Sequence, residues 1–186
     1  MSVVAIITAR GGSKRIPKKN IKEFCGKPII AYSIETALQS GMFDEVMVST
    51  DSQEIAEIAK SYGAAVPFMR SAENANDMAD TTDVLKEVLD RYRQQGKYYD
   101  EFCCIYPTAP FVTAQKLQES HKLLENENVY NVVPMVPFSF PPQRGMVLRD
   151  GVLQPVQPEA IDMRSQDLET VYMIVDSSTG AKQQHF

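Results

Sequence analysis

The chain has 186 residues, with 19 basic and 24 acidic side chains and a net charge of −5 at pH 7. This acidic balance argues against a general affinity for nucleic acid or for an anionic membrane surface. The length suits one domain, the three cysteines form neither a disulfide framework nor a zinc motif, and no segment has the length of a transmembrane helix. We therefore expect a cytoplasmic protein.

Strands and helices are predicted to alternate along the first 135 residues. The predicted strands are VVAIIT (3–8), EVMVST (45–50), AAVPFMR (64–70), FCCIY (102–106) and VYNVVPMV (129–136). The predicted helices are KPIIAYSIETALQSG (27–41), EIAEIAKSYG (54–63), TTDVLKEVLDRYRQQG (81–96) and TAQKLQESHKLLEN (113–126). Strand–helix alternation predicts an α/β fold with a parallel sheet and right-handed crossovers.

The residues that follow these strands are candidates for a ligand site, because open parallel sheets bind ligands at the carboxyl ends of their strands. They are the loop 9–20, Ser49-Thr50-Asp51, the segment after Phe68, and Tyr106-Pro107-Thr108. Beyond residue 137 the chain is rich in Pro, Gln and Arg, and Met146–Leu153 around Asp150-Gly151 indicates a short hairpin. We interpret 137–170 as an arm on the sheet.

The loop after the first strand concentrates positive charge in an acidic protein. ITARGGSKRIPKKN (7–20) contains five cations and no acid, and its Gly-Gly pair offers backbone N–H groups to an anion. The spacing is neither GxGxxG nor GxxxxGK[ST], so Rossmann and P-loop interpretations are poor. An ordinary solvated surface loop is the alternative. Charge density at the end of a strand favours a flexible loop around a triphosphate.

Several segments resemble one enzyme family. RGGSKRIPKKNIKEFCGKPIIAYSIETA is similar to the opening signature of the CMP-sugar synthetases, the cytidylyltransferases of nonulosonic acids. STDSQEIAEIAKSYGA, VPFMR and IYPTAPF match the family in order, and MRSQDL (163–168) is most similar to its pseudaminic acid branch. The resemblance spans residues 3 to about 172. It implies a three-layer nucleotide-diphospho-sugar-transferase-like fold with a mostly parallel, twisted sheet.

The resemblance also implies an activity and its partners. The family couples CTP to the anomeric hydroxyl of an acidic nine-carbon sugar, releases pyrophosphate and needs Mg²⁺. The implied sugar is pseudaminic acid, with sialic, legionaminic and 3-deoxy-octulosonic acids as alternatives. The product would serve surface glycan or flagellin glycosylation. The family further implies a homodimer, with the 137–170 arm reaching towards the partner.

Site residues carry over from the family position by position. The triphosphate would be held by Arg10, Gly11, Gly12, Ser13, Lys14, Lys19 and Asn20. Arg10 and Lys19 would be the catalytic cations, because charge grows on the phosphoryl oxygens and on the leaving pyrophosphate. Arg70, Asp77 and Thr81 would line the base or ribose pocket, although Thr81 or Thr82 is equally a helix cap.

The sugar side of the site is expected to involve two regions. Tyr106 and Thr108 stand where the family presents side chains to the sugar, and YPTAP replaces the QPTSP of the sialic acid branch; Tyr106 is otherwise a core residue. Arg144, Arg164 and Gln166 are candidates for binding the sugar carboxylate, because an Arg fork matches a carboxylate. Their alternative role is in the dimer interface. No metal ligand is assigned.

The last fourteen residues depart from the family. After MRSQDL the family continues with a segment resembling HDSGQFYW, whereas this chain reads MIVDSSTGAKQQHF (173–186). One choice of synonymous codons for Tyr172–Phe186, with a single added base, translates as YHDSGQFYWGKTAAL. We therefore divide the chain into a cytidylyltransferase domain (1–172) and an aberrant, frameshifted tail (173–186), which we expect to be weakly ordered or to pack non-natively. A chain so altered is alternatively a catalytically dead nucleotide-binding module.

Overall fold

The structure is a computed structural model that describes residues 1–76, 78–175 and 177–186, without the side chain of His185. Two compact units are present, Met1–Val133 together with Asp176–Phe186, and Pro134–Val175. The α-helices are α1 (Ile29–Ser40), α2 (Gln53–Ser61), α3 (Thr81–Gln94) and α4 (Ala114–Leu124). The strands are β1 (Val3–Thr8), β2 (Glu23–Phe24), β3 (Lys27–Pro28), β4 (Glu45–Ser49), β5 (Glu101–Ile105), β6 (Asn131–Val132), β7 (Met135–Pro137), β8 (Met146–Arg149), β9 (Val152–Pro155), β10 (Tyr172–Ile174) and β11 (Ser178–Lys182).

The first unit is built around a five-stranded sheet in the order β4-β1-β5-β11-β6. β1 pairs in parallel with β4 and with β5, as the alternation of strands and helices predicts. β11 lies between β5 and β6 and is antiparallel to both. The sheet is therefore mostly parallel, with one inserted antiparallel strand.

Helices cover both faces of this sheet. Because successive side chains of a strand point to opposite faces, Ala5 and Ile7 of β1 pack with α1, α2 and α4, whereas Val4 and Ile6 pack with α3. The buried residues of α3 are those that its helical spacing indicates, namely Val84, Leu85, Val88, Leu89 and Tyr92. The three-layer α/β architecture is confirmed.

The predicted third strand, AAVPFMR (64–70), does not form. Only Ala65 bridges to the sheet: its N–H donates to Val46 O at 2.8 Å and its carbonyl accepts from Val48 N at 2.9 Å. Pro67, two residues on, has no N–H with which to extend the ladder. The predicted strand VYNVVPMV is likewise divided, because β6 and β7 lie on either side of Pro134, in different units.

Part of the tail forms a strand of the central sheet. Ser178–Lys182 forms β11 within the sheet, where Ala181 and Lys182 are buried. Gly180 packs closely under α4, since a Cβ at this position would lie 3.2 Å from Leu124 Cδ1. β11 pairs with β5 along its whole length and with β6 at Gly180 and Ala181, and the expectation that the tail is weakly ordered or packs non-natively stays a prediction. The frameshift itself stays a hypothesis.

The second unit has almost no core of its own. It contains the β7–β10 pair and the β8–β9 hairpin, in which Asp150 (φ 51°) and Gly151 (φ 78°) form the predicted two-residue turn. Of the residues from 134 to 175, all of which the structure describes, only Ala160 is buried. Over the described part of the whole chain, no helix is long and apolar enough to cross a membrane.

Candidate active site

A polar cavity of about 720 Å³ opens in the first unit beside the ends of β1 and β5. Its size falls within the range typical of small-molecule sites. The lining residues are Thr8, Arg10, Ser13, Lys14, Arg15, Ile16, Lys19, Asn20, Arg70, Asn74, Asn76, Ala79, Asp80, Thr81, Val84, Tyr106, Pro107 and Thr108. Five of these side chains are cationic, and among the described lining residues only Asp80 is acidic, so the cavity suits an anion.

The basic loop forms one wall, and a few internal hydrogen bonds help to hold its conformation. Asn20 is buried, and its Nδ2 donates to Arg10 O at 2.8 Å, which closes the loop on itself. Ser13 N donates to Gly11 O at 3.0 Å. Lys18 has a φ of 53°, in the left-handed region, and directly precedes a short 3₁₀ turn, Lys19–Ile21. The loop thus forms no α-helix, as Pro17 indicates.

Among the lining cations that the structure describes, only Arg70 is buried. Its Nε donates to Ser49 Oγ at 3.1 Å and its Nη2 donates to Ser49 O at 2.6 Å. Its backbone N–H donates to Thr50 O at 2.7 Å. Burial lowers the pKa of Arg70 from its ordinary 12.5, an effect opposed by the charges of Asp51 and Glu87. Arg70 therefore presents a fixed guanidinium at the end of β4.

The segment that follows Arg70 forms another part of the cavity wall. Arg10 Nη1 donates to Asn76 O at 3.1 Å, which links the basic loop to this segment. Glu87 of α3 holds the segment in place through Ser71 and Asn74. Asn76 Oδ1 in turn accepts from the backbone N–H groups of Met78 and Ala79. This wall is therefore supported from α3 rather than by the loop alone.

Thr81 does not cap α3. Asp80 is the cap, because its side chain accepts from Asp83 N at 2.9 Å in a capping box. The Thr81 hydroxyl instead lies 3.4 Å from the Tyr106 hydroxyl. Tyr106 is partly exposed and lines the cavity, and its backbone is held from two sides, by Ser33 Oγ at 2.8 Å and by Ser177 O at 3.0 Å. Both side chains thus have polar atoms at the cavity wall.

The structure brings most of the predicted site residues of the first unit to one cavity. Those that line it are Arg10, Ser13, Lys14, Lys19, Asn20, Arg70, Thr81, Tyr106 and Thr108. Gly11 and Gly12 are not among its described lining residues, and the Gly11 N–H donates to Asp51 Oδ1 at 2.8 Å. Asp77 lies outside the described residues. The individual roles of all these residues stay predictions.

The three candidates for binding the sugar carboxylate belong to the second unit. The Arg164 guanidinium already forks onto Asp167, with Nε–Oδ2 at 2.7 Å and Nη2–Oδ1 at 3.2 Å. Arg144 Nη1 donates to Ser165 Oγ at 3.3 Å, and its guanidinium lies over the Phe140 ring. Gln166 is exposed. A sugar carboxylate at Arg164 would have to displace Asp167.

The described residues contain no group of three or more His, Cys, Asp or Glu side chains that could hold a metal ion. Mg²⁺ is commonly bound through one or two carboxylates together with substrate phosphates, and it keeps several waters. The cavity offers Asp80 alone among its described carboxylates, and Asp80 Oδ1 already caps α3. A cage built from protein side chains alone is therefore not formed by the described residues.

Sequence reasoning missed several cavity residues. The most informative are Asn74, Asn76 and Asp80, which lie in the irregular segment between Arg70 and α3. Arg15 was noted for its charge but not assigned to the site. The sequence signal for the segment was its position after a presumed strand. Asn74 and Asn76 belong to no periodic sequence pattern from which their position at the cavity could be predicted.

Comparisons with known proteins show the family of this chain. The model of a family described as cytidylyltransferase matches residues 4–145. A pseudaminic acid cytidylyltransferase of Campylobacter jejuni subsp. jejuni is 41% identical over 174 residues, covering 92% of this chain and 75% of the relative. A CMP-N,N'-diacetyllegionaminic acid synthase of Legionella pneumophila is 39% identical over 138 residues, covering 73% of this chain and 59% of that protein.

Solved structures agree on the fold. The structure of a CMP:2-keto-3-deoxy-manno-octonic acid synthetase complexed with CTP superposes with a TM-score of 0.72 at 21% identity, covering 99% of this chain and 75% of that one. A 4-diphosphocytidyl-2C-methyl-D-erythritol synthase from Anaerococcus prevotii gives a TM-score of 0.66 at 15% identity, covering 99% and 72%. At such identities the likeness concerns the fold alone.

Proposed function

The chain belongs to the cytidylyltransferase family, and from this premise we propose that it couples CTP to pseudaminic acid, giving CMP-pseudaminic acid and pyrophosphate. The observation that carries the proposal is a single cavity at the ends of parallel strands with five cationic side chains and one described acid. The choice of sugar rests on the relatives. The pseudaminic acid enzyme matches 92% of this chain, whereas the legionaminic acid enzyme matches 73%.

The proposed chemistry is a displacement at the α-phosphorus of CTP. The anomeric hydroxyl of the sugar loses its proton to solvent as its oxygen forms the new bond to phosphorus, and the bond from phosphorus to the bridging oxygen breaks as pyrophosphate leaves. Catalysis of phosphoryl transfer is mainly positioning and charge neutralisation. Arg10 and Lys19 line the cavity together and would supply that positive charge to the triphosphate. The Arg70 guanidinium, which is hydrogen-bonded to Ser49, would face the nucleoside part of CTP.

Mg²⁺ is proposed as the cofactor, carried into the cavity on the CTP phosphates. This route fits a cavity whose described side chains form no metal cage of their own. Bound there, Mg²⁺ would neutralise charge on the phosphate oxygens. The chain's own cations would hold the triphosphate, and Tyr106 and Thr108 would meet the sugar at the end of β5.

We also propose that the protein acts as a homodimer in the cytoplasm. The support is the second unit, in which only Ala160 is buried although large apolar side chains are exposed. Exposed residues of this unit include Phe138, Phe140, Met146, Leu148, Leu153, Val156, Tyr172 and Ile174. Apolar patches of this kind mark interaction sites. Light scattering of the chain and of Leu148→Asp tests the proposal, which predicts a dimer for the first and a monomer for the second.

The decisive experiment is pyrophosphate release from CTP and Mg²⁺ with pseudaminic, legionaminic, sialic and 3-deoxy-octulosonic acids in parallel. The proposal predicts the highest kcat/KM with pseudaminic acid. A higher value with another sugar would refute the assignment of substrate. CTP binding without turnover on any sugar would identify a nucleotide-binding module. The chain with its reading frame restored after Tyr172 is the matched comparison for that outcome.

A further inference from the structure

The basic loop carries several positive charges and contains no acidic residue that could neutralise them. Five cations lie between Arg10 and Lys19, and only a few hydrogen bonds fix the backbone there. Like charges held close together repel one another in the absence of an anion. Ordering a loop when a ligand binds costs affinity. A contact from outside the loop that orders it beforehand would therefore favour binding of a triphosphate.

The structure provides such a contact at the start of α2. Asp51 Oδ1 accepts the N–H of Gly11 at 2.8 Å, across forty residues of sequence. The two backbones approach closely here, because a Cβ on Gly11 would lie 3.0 Å from Ser52 Cβ. Glycine is thus the residue that lets the loop dock against the turn before α2. A hydrogen bond to an ionised acceptor is about twice as strong as a neutral one.

Asp51 is itself rigidly placed. Thr50 is fully buried, its carbonyl accepts from Arg70 N at 2.7 Å, and its Oγ1 accepts from Ser52 N at 3.1 Å. Ser52 then caps α2, so the turn is fixed from both sides. The same turn therefore holds the backbone of Arg70, which is a cation of the cavity, and the backbone of Gly11, which follows the cavity cation Arg10.

Asp51 does not contact the space where the substrates would react. It is absent from the described residues that line the cavity. Its carboxylate accepts from a backbone N–H, and its charge also acts on Arg70. With this N–H engaged, Gly11 cannot offer it to a phosphate. The carboxylate thus decides which amide groups of the loop remain available to an anion.

We propose that Asp51 is a positioning residue that holds the basic loop in its anion-binding conformation before CTP arrives. The inference rests on the proposed function for its ligand, but the contact to Gly11 is independent of it. A second ion pair, Lys18 Nζ to Glu54 Oε1 at 2.7 Å, ties the far end of the loop to the same helix. That pair is exposed and joins two long, flexible side chains, so it contributes little. The Asp51 bond is also exposed but ends on a backbone N–H.

The test compares Asp51→Ala, Asp51→Asn and Glu57→Gln with the unaltered chain. Asparagine keeps an oxygen that accepts from Gly11 N–H but removes the charge, whereas alanine removes both. Glu57 is exposed on α2 and bonds to Gln53 of the same helix, so its substitution removes one negative charge without touching the loop. Two quantities are measured: the Kd for CTP with Mg²⁺ by calorimetry, and the exchange rate of the Gly11 amide by NMR in the absence of ligand.

For Asp51→Ala we expect roughly tenfold weaker CTP binding and at least tenfold faster exchange of the Gly11 amide. Asp51→Asn should stay within about threefold of the unaltered chain in both, and Glu57→Gln should match it. Unchanged exchange in Asp51→Ala would overturn the proposal. A second outcome would also overturn it: equal losses of CTP affinity in both Asp51 variants, with normal exchange of the Gly11 amide in Asp51→Asn. In that case the negative charge of Asp51, and not its hydrogen bond to Gly11, would support CTP binding, as the charge of a metal ligand does. Failure of the unaltered chain to bind CTP would refute the proposed function, while Gly11 exchange would still decide whether Asp51 holds the loop.

Discussion

Removing the Glu87 carboxylate should both destabilise the protein and loosen one wall of the cavity. Glu87 Oε1 accepts from Ser71 N at 2.8 Å, and Oε2 accepts from Ser71 Oγ at 2.9 Å and Asn74 Nδ2 at 2.7 Å. Arg91 Nη2 lies 3.0 Å from Oε1, and the Glu87 side chain is only 11% exposed. One substitution therefore leaves four partners without their acceptor.

The magnitude follows from these contacts. Each of the three hydrogen bonds contributes about 1 kcal/mol net, and the partly exposed pair with Arg91 adds less than about 1 kcal/mol. We expect Glu87→Ala to lower the free energy of unfolding by about 3 kcal/mol at pH 7. Glu87→Gln should lose roughly half of this, because its amide retains one acceptor oxygen but turns a donor towards other donors.

The effect should depend on pH with a definite sign. Burial raises the pKa of Glu87, but hydrogen bonds from Asn74 and Ser71 and the charge of Arg91 outweigh it and hold the pKa below 4.5. A carboxyl whose pKa is depressed in the folded state stabilises the fold above its unfolded pKa. The difference between the unaltered chain and Glu87→Ala should be complete at pH 7 and should shrink as the pH falls below about 4.5.

Urea unfolding at pH 7 and at pH 4 measures both expectations. Lys86→Ala is the matched control, because Lys86 is exposed on the same helix and such surface changes stay within about 0.5 kcal/mol. The Kd for CTP, measured in parallel, should be higher in Glu87→Ala, because the segment that Glu87 anchors accepts a hydrogen bond from Arg10. A loss below about 1 kcal/mol at pH 7, or a loss that grows towards pH 4, would refute the reasoning.

Three further predictions follow from other contacts. Lys19→Ala should lower kcat/KM for pyrophosphate release about a hundredfold with an unchanged urea midpoint; a normal rate would remove Lys19 from the reaction. Cys25 is exposed, whereas burial raises the pKa of Cys103 and raises that of Cys104 to about 12. A thiol reagent should therefore react with one cysteine in the native protein and with three in urea. Reaction of more than one thiol in the native protein would contradict the burial of Cys103 and Cys104. Glu45→Gln should cost about 2 kcal/mol at pH 7 and less towards pH 4, because the pKa of Glu45 is lowered by hydrogen bonds that overcome its burial; a loss independent of pH would argue against an ionised acceptor.

The elements with a strong local signal were predicted correctly from sequence. VVAIIT and FCCIY form buried parallel strands, and the apolar spacing of α3 matches its buried face residue by residue. Asp150-Gly151 forms the expected turn of a hairpin, because both residues readily adopt positive φ. These features depend on periodicity and backbone preference within a few residues.

The candidate site was predictable to the extent that it follows strand ends. The loop after β1 and Tyr106 after β5 meet at one cavity because parallel strands present their carboxyl ends at one edge. Arg70 follows no strand, and it reaches the cavity through its hydrogen bonds to Ser49 and Thr50 at the end of β4. The wall between Arg70 and α3 was not predictable in the same way. Its amides are placed by Glu87 and by Arg10, from distant parts of the chain.

The sequence by itself determined the layers, the parallel strands β1, β4 and β5 and the basic loop, because hydrophobic periodicity and charge density are local properties. Only the tertiary structure decided that Ala65 makes an isolated bridge rather than part of a strand. It also decided that Asp51 accepts a hydrogen bond from the Gly11 N–H, and that β11 lies in the sheet between β5 and β6. The short β11 segment, STGAK, has no apolar alternation of its own. Its place is fixed by the unpaired backbone groups of β5 and the space under α4, which exist only once the rest of the sheet has formed.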